Sequence, residues 1–323
     1  MPLRHSSDEE PGISRERDGE GFRYRRPDGK IVRDAKTLDR VRALAVPPAY
    51  ERVWICADAH GHLQATGIDA RGRKQYRYHP EFREARDRAK FGKMLRFAKA
   101  LPAIHAALDR DLRRPRPDRE KALATVVSLL ERSLVRVGNE EYARENGSVG
   151  LTTMRMRHAL LDGSTLRFRF KGKSGVRHDL TLSDRRLANA VRKVSDLPGQ
   201  RLFQYVGEDG AIHPVTSDGV NAYLKEISGG PFTAKDFRTW AATVGALERL
   251  AAVSPWPATK KDRRRELMDC FREMAARLGN TPAVCRSSYV HPAVVEAFEA
   301  GALARAIRPG EAPADAVARL LRR

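Results

Sequence analysis

The sequence predicts an α+β protein: a small N-terminal antiparallel β domain followed by a larger, mainly α-helical domain that contains a three-stranded β meander. Three observations predict it. Short alternating apolar runs punctuated by Gly, Asp and Pro fill residues 21 to about 80. Helix-spaced apolar residues take over after Pro80, and the β texture returns once, between about Thr153 and Ser183.

In chain order, residues 1–20 carry Ser6, Ser7, Asp8, Glu9, Glu10, Pro11 and Gly12 and almost no large apolar side chain. Burial there cannot offset the entropy of ordering, so a disordered tail is expected. Over 21–85, Arg52-Val53-Trp54-Ile55-Cys56 and Leu63-Gln64-Ala65-Thr66 read as strands. His60-Gly61, Asp69 and Gly72 read as turns, and Ala35–Leu44 as a helix that cannot pass Pro47-Pro48. A charged, helix-compatible stretch from Glu81 to about Leu112 leads into the second domain, 86–323, and is followed by the Pro115–Asp118 break. Leu123, Val126, Val127, Leu130 and Leu134 then form the stripe of a helix ending near Gly138. Asp162-Gly163 is a hairpin turn, and Lys171-Gly172-Lys173-Ser174-Gly175 is a second one between Leu166–Phe170 and Val176–Leu182. Helices dominate thereafter. Leu267, Phe271, Met274 and Leu278 make one stripe, stopped by Gly279, and Thr281 is placed to cap the next helix with Pro282 at its first position. The segments before Gly21 and beyond about Gly301 carry no chemistry that the sequence discloses.

Composition narrows the partner. Of 323 residues, 61 are Lys or Arg and 41 are Asp or Glu, a net charge of +20. Such an excess weakens a compact state by self-repulsion and is used to meet a polyanion. No run of about 18 apolar residues and no apolar stretch after Met1 favour a membrane, so nucleic acid is the expected partner. Cys56, Cys270 and Cys285 are widely spaced and fit no metal-ligand pattern. An odd count of thiols with no leader points to a reducing, cytoplasmic compartment, and all three read as small buried hydrophobes.

Moving a phosphodiester onto a protein oxygen takes a nucleophile, cations or donors for the two non-bridging oxygens, and an acid for the departing sugar oxygen. No metal cage is legible, and Arg is the natural substitute because it stays charged and forks onto phosphate. Gly172-Lys173-Ser174 is not a phosphate loop: the earlier glycine that motif needs is Arg167, and a strand rather than a helix follows. No cofactor, metal or nucleotide is expected.

Five segments, in order, carry a family resemblance: QATGIDARGRKQYRYH (64–79), RVGNEEYARENGSVGLTTM (136–154), FKGKSG (170–175), KDFRTWAAT (235–243) and LGNTPAVCRSSYVHP (278–292). Together they resemble the poxvirus-like bacterial branch of the type IB DNA topoisomerases, from about Gly21 to His291. The resemblance implies the tyrosine recombinase/topoisomerase IB catalytic fold for 86–323 and a DNA-clamping role for 21–85. It implies Tyr289 as the nucleophile, leaving a 3′-phosphotyrosyl bond, and Arg136 and Arg238 as the clamp on the non-bridging oxygens. Lys173 would be the acid for the 5′-oxygen. Asn280 stands where many relatives carry His and would donate a hydrogen bond, though it cannot titrate. Arg238 lies about 200° round its helix from Trp240, so the two side chains should diverge. Gln75, Tyr76 and Tyr78 are the contacts that the resemblance implies for the first domain, with Tyr142 a further candidate; Arg73 and Lys74, in the same cation-aromatic run, and Lys171 and Lys235 are expected to join them on DNA. In a strand, Lys74, Tyr76 and Tyr78 share one face, which could press on phosphates while Gln75 reaches a base edge. The expected partner is double-stranded DNA, gripped by a monomer in the nucleoid.

Two rivals stand beside this reading. A tyrosine site-specific recombinase shares the Arg-Lys-Arg-Tyr set, but typically carries His two residues before a Leu-Arg pair where this chain has Lys235-Asp236-Phe237-Arg238, and its DNA-binding arm is helical. A non-catalytic basic DNA-binding protein explains the charge but not the five ordered segments.

Overall fold

A computed structural model describes residues 2–303, 307–308 and 310–322; the remaining positions beyond Gly301 lie outside the described residues. The chain divides into two compact units, Met1–Lys90 and Phe91–Arg323. No helix among the described residues is long and apolar enough to cross a membrane.

The first unit is a five-stranded antiparallel sheet in the order β2-β1-β3-β4-β5. Its strands are β1 (Ile13–Asp18), β2 (Gly21–Arg25), β3 (Glu51–Ile55), β4 (Leu63–Ile68) and β5 (Lys74–Tyr78). Helix α1 (Ala35–Ala43) starts where the Asp34 carboxylate accepts from the Thr37 amide at 2.9 Å. Ile13, Val32, Val41, Val53, Ile55 and Ala65 form the core.

Over residues 2–20 the chain is not the disordered tail that the composition of 1–20 predicts. Residues 13–18 are β1, an inner strand paired on both sides, and Ile13 is buried. Upstream, Arg4 brackets Gly61 through backbone bonds with His60 and His62, and the buried Ser6 hydroxyl donates to the Leu63 carbonyl. Asp8 meets Lys74 at 2.6 Å and accepts from Thr66, and the Trp54 indole donates to the Glu10 carbonyl while lying against Gly12. The composition argument counts only apolar surface. This segment is held by strand pairing and polar anchors instead.

The second unit is built around α3 (Arg119–Ser133), whose residues Lys121 to Leu130 are all buried. Helix α2 spans Pro80–Leu112. The other helices are α4 (Glu140–Asn146), α5 (Arg185–Ser195), α6 (Ser217–Ser228), α7 (Ala234–Ala251), α8 (Lys260–Leu278), α9 (Pro282–Ser288), α10 (Pro292–Glu299) and α11 (Pro313–Leu320). The β meander is β6 (Ala159–Asp162), β7 (Thr165–Lys171) and β8 (Arg177–Ser183), antiparallel in that order; Asp162 is the last paired residue of β6, opposite Thr165, so the first turn is Gly163-Ser164, one residue later than predicted. A two-stranded ribbon, β9 (Gln204–Val206) with β10 (Ile212–Pro214), precedes α6. The predicted α+β class holds. Helix α3 stops earlier than its apolar stripe predicts: Leu134 turns left-handed (φ +55°), so it is buried beyond the helix rather than on it.

One buried polar contact anchors α2 to α6. Asp111, fully buried, accepts from the Tyr223 hydroxyl at 2.7 Å and from Arg110 at 2.8 and 2.9 Å. Tyr223→Phe strips one donor from a buried carboxylate, and is expected to cost about 1–3 kcal/mol. Urea unfolding should show a lower midpoint with an unchanged slope.

Candidate active site

The end of α3 aims the first arginine. After the Leu134 turn, Val135 and Val137 are buried and Arg136 lies between them, as alternation in an extended segment requires. Residues 136 and 137 pair with 151 and 152: the Leu151 amide donates to the Arg136 carbonyl at 2.9 Å and that of Thr152 to Val137 at 2.7 Å. Gly150 permits the approach, because a Cβ there would stand 2.5 Å from the Gly138 Cα.

Helix α8 ends at Gly279, whose left-handed backbone (φ +59°) turns the chain so that the Asn280 amide returns to the Ala275 carbonyl. Arg136 and Arg238 converge on this turn. Arg136 Nη1 donates to the Gly279 carbonyl at 3.1 Å, and its Nη2 donates to the Asn280 Oδ1. Arg238, on α7 and 4% exposed, donates from Nη2 to the Leu278 carbonyl at 2.8 Å. Trp240 is buried on the same helix. Because the Asn280 oxygen is taken, its nitrogen is left as the free face of the amide.

Tyr289 closes the group. Thr281 caps α9 and Pro282 opens it; the helix ends at Ser288, and the Tyr289 amide bonds the Cys285 carbonyl at 3.0 Å. Thr243, on α7 with Arg238, donates its hydroxyl to the Tyr289 carbonyl at 3.1 Å and accepts from the His291 amide at 3.1 Å. One helix therefore fixes both the backbone of Tyr289 and the guanidinium beside it, which lies 5.5 Å from the ring centre. Burial pushes the phenol up, but the Arg238 guanidinium, the Asn280 side chain and Arg136 outweigh it, and the hydroxyl lies below its ordinary pKa. Two buried donors in this cluster, Arg238 Nη1 and Asn280 Nδ2, have no partner among the described residues in full hydrogen-bond geometry, although both side chains lie against the Tyr289 hydroxyl and act on it. Buried orphan donors are costly, and a phosphate oxygen for each would satisfy them.

Lys173 is not packed into this cluster. It sits exposed in the turn between β7 and β8, with Nζ 5.3 Å from the centre of the Tyr142 ring. It lines, with Arg136, Asn139, Tyr142 and Gly150, a cavity of about 500 Å³. Tyr142 is set by α4, where the Asn139 side chain caps its amide at 3.0 Å. Lys171 and Lys235 are exposed, at the end of β7 and in the first turn of α7.

In the first unit, Tyr76 and Tyr78 stack at 6.1 Å and Lys74 Nζ lies 5.7 Å from the Tyr76 ring, the shared strand face that alternation predicts. Three of the expected contacts are also held by acids. Lys74 is paired with Asp8, while Arg73 and Gln75 both donate to the Asp69 carboxylate, whose pKa is lowered to about 2, chiefly by Arg73.

The sequence reading missed His178. Its ring stacks on Phe170 and lies against Gly279, and burial, then Arg136 and Arg238, hold its pKa below the ordinary value. The cross-strand register Phe170↔His178 is the signal that could have found it. Among the described residues, no three His, Cys, Asp or Glu side chains stand together in a way that could hold a metal ion.

A helical core that gathers two guanidiniums, an amide and a phenol of lowered pKa, two of the donors unfilled, defines a protein built to hold an anion against a tyrosine oxygen. Comparison with known proteins says which family this is. The family described as the catalytic core of eukaryotic DNA topoisomerase I matches residues 79–306, and that of the N-terminal domain of bacterial DNA topoisomerase IB matches residues 21–69. The chain is 32% identical over 294 residues to the DNA topoisomerase 1B of Acanthamoeba polyphaga mimivirus, covering 89% of this chain and 88% of that one. It is 25% identical over 258 residues to the DNA topoisomerase I of Monkeypox virus, covering 76% and 75%. The chain belongs to the type IB DNA topoisomerases.

Proposed function

We propose that this protein relaxes supercoiled double-stranded DNA by transient cleavage of one strand. The observation that carries the reading is the pair of unfilled buried donors, Arg238 Nη1 and Asn280 Nδ2, beside the hydroxyl of Tyr289. Those donors and Arg136 take the two non-bridging oxygens, so charge that builds on phosphorus is met by groups already in place. The Tyr289 oxygen attacks phosphorus and its proton leaves to water. The bond to the 5′-oxygen breaks as Lys173 donates a proton to it, leaving a 3′-phosphotyrosyl link and a free 5′-hydroxyl. Rotation of the duplex and the reverse transfer restore the strand. The bond energy is conserved throughout, so nothing in the sequence of steps asks for ATP.

Lys173 stands on the Tyr142 ring without DNA, so it must swing toward the phosphate when DNA fills the cavity both residues line. Lys74, Tyr76 and Tyr78 supply backbone contacts from β5, Gln75 and Arg73 a base edge or a phosphate, and Lys171, Lys235 and Tyr142 flank the scissile phosphate. A single copy of the chain would grip the duplex with residues 21–85 and the catalytic domain 86–323, in the nucleoid of the cytoplasm.

Plasmid relaxation tests the reading. Purified protein is expected to relax positively and negatively supercoiled plasmid in EDTA without nucleotide. Failure on both, with DNA binding intact, removes the proposal in favour of a basic binding protein. Products of recombined length, or a tetramer on paired sites, would favour a recombinase.

A further inference from the structure

Resting on that reading of the site, we infer that His178 is a positioning residue: its imidazole is the spacer that sets the hairpin of Lys173 at a fixed distance from the turn of Asn280.

The observation is a double contact by one ring. A Cβ built on Gly172 would stand 2.8 Å from His178 Nε2 and 2.9 Å from Cδ2; one built on Gly279 would stand 2.9 Å from Cε1 and 3.2 Å from Nε2. The ring therefore touches two backbones at once. Gly172 immediately precedes Lys173, and Gly279 immediately precedes Asn280. Gly172 has φ −88°, a conformation open to any residue, so its lack of a side chain is not explained by the backbone. It is explained by the imidazole: any Cβ would displace either the ring or the hairpin. Gly279 differs in needing its left-handed φ as well.

The ring is itself held. Phe170 lies directly across the β7–β8 ladder from His178, and the two stack at 4.7 Å with planes 13° apart. Below the ring, the Gly279 turn is pinned without help from it, by Arg136 to the Gly279 carbonyl, Arg238 to the Leu278 carbonyl and the Asn280 amide to Ala275. The hairpin is tied from outside at its base, where the Val149 amide donates to the Lys171 carbonyl at 2.8 Å. Its tip is held more lightly: Lys173, Ser174 and Gly175 are exposed, and among the described residues the backbone of Gly172 bonds only to Val176 and Gly175, within the turn. Removing the imidazole should therefore leave the phosphate-binding turn in place and free the arm that carries the acid. General acids act only within hydrogen-bond reach, and a misplacement of about 1 Å can cost on the order of a hundredfold.

The test is single-turnover cleavage on a duplex whose scissile site is first mapped with the wild-type protein. It is run once with the ordinary 5′-bridging oxygen and once with sulfur there, a leaving group that needs no proton. His178→Ala is expected to slow cleavage of the ordinary substrate about 10- to 100-fold and that of the sulfur substrate far less, a pattern that Lys173→Ala should show in stronger form. Gly172→Ala should be slow too, because its methyl meets the imidazole. In the double variant the methyl has room, since the next atom, the Val176 carbonyl oxygen, is 3.6 Å away, so the double should be no slower than His178→Ala alone. Equal slowing on both substrates, or losses that multiply in the double variant, would overturn the spacer role. A wild-type protein that forms no covalent adduct on either substrate would instead sink the reading of the site itself.

Discussion

Tyr289→Phe is expected to bind duplex DNA nearly as well as the wild type, to form no covalent adduct after quenching in SDS, and to lose relaxation by at least about a thousandfold. The substitution removes one oxygen and little else. The main chain at 289 keeps its bonds to Cys285 and Thr243, and the ring keeps its place beside Arg238. The fold should therefore be intact, which near-wild-type DNA affinity would verify in the same preparation. Removing a nucleophile stops the covalent step outright, whereas removing one electrostatic donor costs a smaller factor. An adduct that persisted in Tyr289→Phe would place the nucleophile elsewhere, and the other tyrosines of the second unit could then be tried in turn.

How far was this arrangement legible beforehand? The change from β to helical texture, the returning meander and the helix ends at Gly279, Thr281 and Pro282 follow from periodicity and turn residues, whereas β1 and the short ribbon β9–β10, in stretches read as tail and as helical, do not. Local chemistry decides the former, so local sequence reveals them. What escaped the sequence depends on contacts between distant segments. Residues 2–20 are polar yet ordered, because Asp8, Ser6 and Glu10 find partners some 44 to 58 positions away. Leu134 fits the α3 stripe by spacing, but the chain must turn there to bring Arg136 to the Gly279 loop. His178 carries no motif of its own; its place follows from a cross-strand register and two glycines more than a hundred residues apart. Residues with reactive groups announce themselves by type, whereas a spacer is defined only by what it separates.

Arg238→Ala is expected to lower the cleavage rate about 10²- to 10³-fold at neutral pH, the cost of one preorganised donor in a buried site. It should also change the pH dependence, with a sign the geometry fixes. In the wild type, burial raises the Tyr289 pKa and Arg238 is the largest of the groups that lower it. Removing Arg238 leaves the burial and takes away the main opposing charge. The phenol then rises, and the limb of the rate profile that climbs with pH moves to higher pH. Asn280→Ala should move it in the same direction by less, since its side chain is the next contributor. A profile unmoved in Arg238→Ala would mean that the guanidinium serves the phosphate alone and does not ready the nucleophile.

Stability should answer differently from rate. Arg238 is a cation in the core, 4% exposed, and among the described residues one of its two terminal nitrogens has no hydrogen-bond partner and no carboxylate bonds the other. A buried charge without its counter-ion is a liability until DNA arrives, and burial already draws the guanidinium below the ordinary arginine pKa. Arg238→Met fills the same volume with an apolar chain and forfeits one bond to the Leu278 carbonyl, which Arg136 also approaches. This variant is expected to be catalytically as poor as Arg238→Ala while unfolding at a temperature no lower than the wild type. Thermal unfolding at one protein concentration, without DNA, is the measurement. A clear loss of stability would show that the guanidinium contributes to the free fold, and that its unfilled nitrogen is not a cost the protein carries for the sake of its substrate.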